Sequence, residues 1–172
     1  LREKRVDLLL EAVARLAPGH PGPLLAVLGD GPDRGRLEEI AGRLGLDRAV
    51  VFHGHLPTSA EVWRRMGAAR IAVQPSSREG FGLFPLEAMA AGLPVVYCES
   101  PESALGELVE PGVQGLKTEP DPDALAAALG LLLRDEAEVG RLAANARRRA
   151  ERFDWPAVAV EMEKVFREAL RL

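Results

Sequence analysis

Residues 71–98 read I-A-V-Q-P-S-S-R-E-G-F-G-L-F-P-L-E-A-M-A-A-G-L-P-V-V-Y-C. The stretch opens on a short apolar run, I-A-V-Q-P (71–75), and closes on another, P-V-V-Y-C (94–98). Between them, residues 83–92 have helical composition. Two short apolar strands joined by a helix imply a right-handed crossover between parallel strands. The connecting loop is unusual, because Glu79 and Glu87 bracket a Gly-Phe-Gly turn in a stretch otherwise made of glycine and apolar residues.

The same alternation extends in both directions. Upstream, Val6, Leu9, Leu10, Val13 and Leu16 share one helical stripe, which P-G-H-P-G-P ends. L-L-A-V-L-G-D-G-P (24–32) reads as a buried strand closing in a glycine turn, and a helix over 33–45 follows; the plain reading of the turn sets Pro32 at the helix start. A-V-V-F-H-G (49–54) is a further strand, and 58–68 a short helix. Downstream, a helix near 103–110 leads to a fifth strand, G-L-K-T-E (115–119). From 122 only helices are expected. The first has an Asp121 cap and Pro122 at its first position, the second spans 136–152, and the last is amphipathic over roughly 156–171. The fold class is therefore α/β: a Rossmann-like, doubly wound parallel sheet, apolar on both faces, with C-terminal helices. No repeat or linker divides the chain, so residues 1–172 are expected to form one domain.

Composition narrows the function. The chain has 172 residues, 47% of them hydrophobic and 28% charged, with a net charge of −4, which does not suit a dedicated nucleic-acid binder. Cys98 is the only cysteine, expected inside a buried strand, and one Cys with three scattered His gives no metal-ligand spacing. No apolar run reaches membrane-spanning length and no signal peptide is visible, so a soluble, cytoplasmic protein is expected.

In such folds, ligands bind at the carboxyl ends of the strands beside helix N-termini. That rule selects the loops 29–33, 53–57, 75–84 and 98–106, and the segment near Lys4. The loop at 75–87 carries the strongest signal. Gly80 and Gly82 let the backbone approach a ligand, and free N–H groups at the start of helix 83–92 favour a phosphate. A carboxylate accepts two hydrogen bonds at once, so Glu79 and Glu87 suit the vicinal diols of sugars on either side of a diphosphate. The plainer alternative makes Glu79 a solvated loop acid and Glu87 an exposed glutamate favoured by the helix dipole. The pairing around G-F-G favours the functional reading. The Gly29-Asp30-Gly31-Pro32 turn, as an approach to a phosphate, and His53 and Arg78 are weaker candidates. Their ordinary roles are a turn, a structural or base-edge contact, and a solvated cation. Trp63 and Trp155 read as packing residues.

P-S-x-x-E-G-F-G-L-x-x-L-E-A-M-A-x-G-x-P-V-V, from Pro75 to Val96, resembles the E-x7-E region of the retaining glycosyltransferases of family 4 (group 1), which have the two-domain GT-B fold. L-G-D-G-P (28–32), V-F-H-G-H-L (51–56), L-V-E-P-G-V-Q-G-L (108–116) and N-A-R-R-R-A-E-R-F-D-W (145–155) resemble other segments of that family. The resemblance implies the C-terminal donor-binding domain of such an enzyme, with UDP- or GDP-sugar as donor substrate. It needs no metal or other cofactor, and the acceptor is undefined. It implies Glu79 and Lys4 as catalytic residues, Glu79 at the donor sugar and Lys4 at the diphosphate. Glu87 would hold the ribose, and Gly80, Phe81, Gly82 and Leu83 would offer backbone amides to the sugar and phosphates. Gly54 and His55 would line the base pocket.

The resemblance also places an arginine partner of Lys4, and the strand bearing it, ahead of Leu1. An N-terminal domain is expected to supply the acceptor site and any peripheral membrane contact, and the isolated domain is expected to be inactive. Ser103 and Ala104 stand where the family often has Gly-Gly before Glu107, which bears on sugar specificity. Two other readings compete: a non-catalytic nucleotide-sugar-binding or regulatory module, and a GT-B relative with other chemistry, such as an epimerase or phosphorylase. The intact E-x7-E spacing weighs against the first, and the tail against the second.

Overall fold

A computed structural model describes residues 2–18 and 20–170. Leu1 and Leu172, the ends of the expected domain, Gly19 in the expected helix stop and Arg171 at the end of the expected last helix lie outside the described residues. After a short 3-10 turn at Arg2–Lys4, the elements run α1 (Val6–Leu16), β1 (Leu25–Leu28), α2 (Arg34–Arg43), β2 (Val50–Gly54), α3 (Ser59–Gly67), β3 (Ala72–Gln74), β4 (Arg78–Glu79), α4 (Leu83–Ala90), β5 (Val95–Cys98), β6 (Glu102–Ser103), α5 (Leu105–Leu108), β7 (Gly115–Thr118), α6 (Pro122–Arg134), α7 (Glu136–Ala150) and α8 (Trp155–Ala169).

All strand pairing between these elements is parallel. β5 lies between β3 and β7, β1 pairs with β2, and the two-residue strands β4 and β6 pair beyond the ends of β3 and β5. β5 shows why the fold is doubly wound. All four of its residues are buried, and successive side chains point to opposite faces. Val96 and Cys98 enter a core with Leu9, Leu10 and Val13 of α1 and Leu125, Leu129 and Leu132 of α6. Val95 and Tyr97 enter a second core with Ala88 and Met89 of α4, Leu105 and Leu108 of α5, and Ala146 and Ala150 of α7. Helices therefore cover both faces of the sheet at β5, as its unbroken apolar sequence requires.

The expected cap of α6 forms: the Asp121 carboxylate accepts from the backbone N–H groups of Asp123 and Ala124. Cys98 is buried and free, and burial raises its thiol pKa.

Four expectations need correction. β1 and β2 are not covered on both faces, since Ala26 and Val51 are exposed. Pro32 does not open α2, which starts at Arg34 after an Asp33 that makes no side-chain cap. The helix near 103–110 shrinks to four residues, Leu105–Leu108: Ser103 pairs in β6 at one end, and Val109 is already extended at the other. The amphipathic last helix forms but buries none of its described residues, and Trp155 is 82% exposed instead of packed. Trp63 is likewise exposed.

Candidate donor site

The loop after β3 is built on buried polar groups. Gln74 ends β3, and Ser76 follows it at 0% exposure. The Gln74 side-chain amide donates to Ser76 Oγ at 3.0 Å and to Glu79 Oε2 at 2.7 Å. Glu79 lies in β4, whose pairing with β6 fixes its backbone, and its carbonyl accepts from Ala104 N at 3.0 Å.

Lys4 reaches this carboxylate from the far end of the chain, with Nζ 2.9 Å from Glu79 Oε2. The turn carrying Lys4 is docked on the same loop, because Ser77 N donates to the Glu3 carbonyl at 2.9 Å. Arg5 then takes a left-handed backbone conformation, φ 48°, where the chain leaves this turn for α1. Ser100 Oγ donates to the Ser77 carbonyl, tying the loop after β5 to the same place. Three chain-distant segments thus meet at Glu79.

The G-F-G turn leads directly into α4. Gly82 is the residue before the helix, buried, at φ 84°, and a Cβ there would lie 2.8 Å from Leu105 Cδ2. Both the left-handed backbone and the contact with α5 call for glycine. The amides free at this helix start are few. Pro85 has no N–H and Leu86 N donates to the Gly82 carbonyl, which leaves Leu83 and Phe84. These two N–H groups, with the positive end of the helix dipole, are the kind of arrangement that favours an anion.

Gly80, Phe81 and Leu83 are exposed. Phe81 stacks edge-on against Phe153 with ring centroids 5.7 Å apart, a contact between loop and tail with no sequence signal. Glu87 is exposed on α4, and no side-chain hydrogen bond engages it among the described residues.

Gly54 ends β2, and its carbonyl accepts from Gly29 N at 2.9 Å, so the loops after β1 and β2 lie side by side. His55 follows it, exposed. Asp30 accepts from Gly31 N at 2.7 Å, the plain turn role. Burial, with a smaller contribution from Arg65, holds the His53 imidazole below its usual pKa, so it is neutral near pH 7 and a poor proton donor. Arg78 lies 3.8 Å from Glu102, an exposed pair of small energetic weight. No group of three or more His, Cys, Asp or Glu is placed to hold a metal among the described residues. No helix among them is long and apolar enough to cross a membrane.

Residues 1–149 match the family described as Glycosyl transferases group 1. The chain belongs to that family. Within it, a glycogen synthase of Mycobacterium tuberculosis is 39% identical over 171 residues, covering 98% of this chain and 41% of that protein. Sucrose-phosphate synthase from Thermosynechococcus elongatus superposes with a TM-score of 0.86 at 31% identity, over 99% of this chain and 43% of that one. The Anabaena protein HepE, solved in complex with UDP-glucose, superposes with a TM-score of 0.82 at 27% identity, over 98% and 46%. The chain thus spans less than half the length of each of these relatives. Its fold is that of the C-terminal, Rossmann-like half of a GT-B glycosyltransferase.

Of the residues expected at the site, the structure joins Lys4 to Glu79 directly and places Gly80, Phe81, Gly82 and Leu83 immediately after Glu79. Glu87 sits on α4, five residues past Gly82, while Gly54, the last residue of β2, and His55 after it lie in a separate place. Sequence reasoning missed Gln74. Its signal was a polar residue closing an otherwise apolar strand.

Proposed function

We propose that this chain is the donor-binding part of a retaining glycosyltransferase. It would hold a nucleoside-diphosphate sugar, UDP- or GDP-linked, for transfer of the glycosyl group to an acceptor. The observation that carries the reading is the Lys4–Glu79 pair at 2.9 Å, set against the G-F-G turn and the start of α4. Cation, carboxylate and free helix amides are the groups that a sugar diphosphate needs side by side. The UDP-glucose found with HepE supports this ligand class.

In this reading the Lys4 ammonium and the Leu83 and Phe84 amides face the diphosphate and stabilise the negative charge that grows as the glycosidic bond breaks. Glu79 contacts the sugar hydroxyls and stabilises the positive charge developing on the ring. Glu87 takes the ribose diol. Gly54 and His55 line the base. The acceptor attacks the face from which the nucleotide left, so the anomeric configuration is retained. No metal or other cofactor enters this scheme. The acceptor site belongs to a separate domain, corresponding to the length of the relatives that this chain does not span, so the chain alone binds donor and transfers little.

Ligand-observed NMR against a panel of UDP- and GDP-sugars tests the reading. The expected result is saturation transfer to one nucleotide class. A panel in which no nucleotide sugar binds would exclude it.

A further inference from the structure

Gln74 stands out because it is an uncharged polar side chain, 8% exposed, at the end of a strand whose neighbours are apolar. A buried amide is costly unless its hydrogen bonds are made. Here both N–H donors are used, one on the fully buried Ser76 hydroxyl and one on Glu79 Oε2. The orientation follows from chemistry, since a carboxylate only accepts and the amide nitrogen must face it. Lys4 Nζ converges on the same oxygen, so Oε2 is held twice. Oε1 takes no hydrogen bond among the described residues.

The two holds differ in kind. Lys4 is a flexible, half-exposed cation, with a side chain 45% accessible, and an incoming diphosphate competes for it. Gln74 carries no net charge, is buried and is anchored to Ser76, so a diphosphate draws on it far less than on Lys4. We propose that Gln74 is a positioning residue for Glu79. It keeps the carboxylate fixed, with Oε1 directed outward to accept a sugar hydroxyl, once Lys4 has moved its charge to the diphosphate. The proposal rests on the donor reading above and assigns a division of labour within that site: Lys4 serves the phosphates, and Gln74 serves the sugar through Glu79.

The test uses Gln74→Met, which keeps the volume and removes the donor, with circular dichroism confirming the fold. Calorimetry of the 172-residue chain with UDP and UDP-glucose, and with GDP and GDP-mannose, reads two affinities for each nucleotide. The expected result is an unchanged affinity for the bare diphosphate, within about twofold, and a nucleotide-sugar affinity lowered roughly tenfold, the scale of one charge-assisted hydrogen bond. Equal loss on both ligands, or no loss on either, overturns the proposal.

A second measurement needs no ligand. The side-chain 1H–15N signals of Gln74 should shift on Glu79→Gln, and signals that stay in place overturn the positioning role directly. If the wild type binds no nucleotide sugar, the donor reading fails, and the Gln74 signals alone decide whether Gln74 holds Glu79.

Discussion

Glu87→Ala is expected to weaken nucleotide-sugar binding by about 1–3 kcal/mol, roughly 5- to 150-fold, the cost of removing one charged partner of a diol. Glu87 is exposed on α4 and makes no side-chain hydrogen bond among the described residues, so truncating it should leave the thermal melt unchanged. That separation is what makes the variant informative. A structural glutamate would move stability, whereas a ribose-binding one moves affinity alone. Because the ribose is common to both ligands, UDP and UDP-glucose should weaken together, in contrast to the split expected for Gln74→Met. Calorimetry showing wild-type affinity in Glu87→Ala would remove the residue from the site.

Gly115→Ala is expected to destabilise the fold by about 2–4 kcal/mol, a loss of roughly 5–15 °C in melting temperature for a chain of this size. Gly115 pairs with Val95 across the β5–β7 ladder, and a Cβ at Gly115 would run into the Val95 carbonyl. The obstacle is backbone in the central strand, which cannot turn aside as a side-chain end can. Gly82→Ala meets a softer obstacle, the tip of Leu105, together with a strained φ. An unchanged melt for Gly115→Ala would mean that β7 approaches β5 less closely than described.

The parts of the fold legible in the sequence are those with a physical reason to be local. β5 is apolar on both sides because helices cover both sides, so V-V-Y-C announced itself. Asp121 and Pro122 announced the start of α6 because capping involves only neighbouring residues. β4 and β6 were invisible because two residues have no periodicity, and their pairing joins residues 24 apart in sequence. The bare faces at Ala26 and Val51 and the uncovered α8 were misread for a related reason. An apolar pattern states what a segment would bury, not whether this chain supplies the cover.

The candidate site divides in the same way. E-G-F-G and Glu87 lie within nine residues and could be read as a unit, and the family resemblance pointed to Lys4. The 2.9 Å contact joining Lys4 to Glu79 spans 75 residues and depends on Ser77 docking the Glu3 carbonyl, which no local pattern encodes. Gln74 was hidden because polar residues at strand ends are common, and only its two bonds and its burial set it apart.

The most direct test of the donor site is amide chemical-shift mapping of the 172-residue chain titrated with UDP-glucose and GDP-mannose. One of them is expected to perturb amides 79–84 and 87, the 54–55 loop and the Lys4 turn together, leaving α8 and the outer face of α6 unmoved. Perturbations confined to other surfaces, or none at saturating ligand, would contradict the assignment of Lys4, Glu79 and Glu87 to a nucleotide-sugar site.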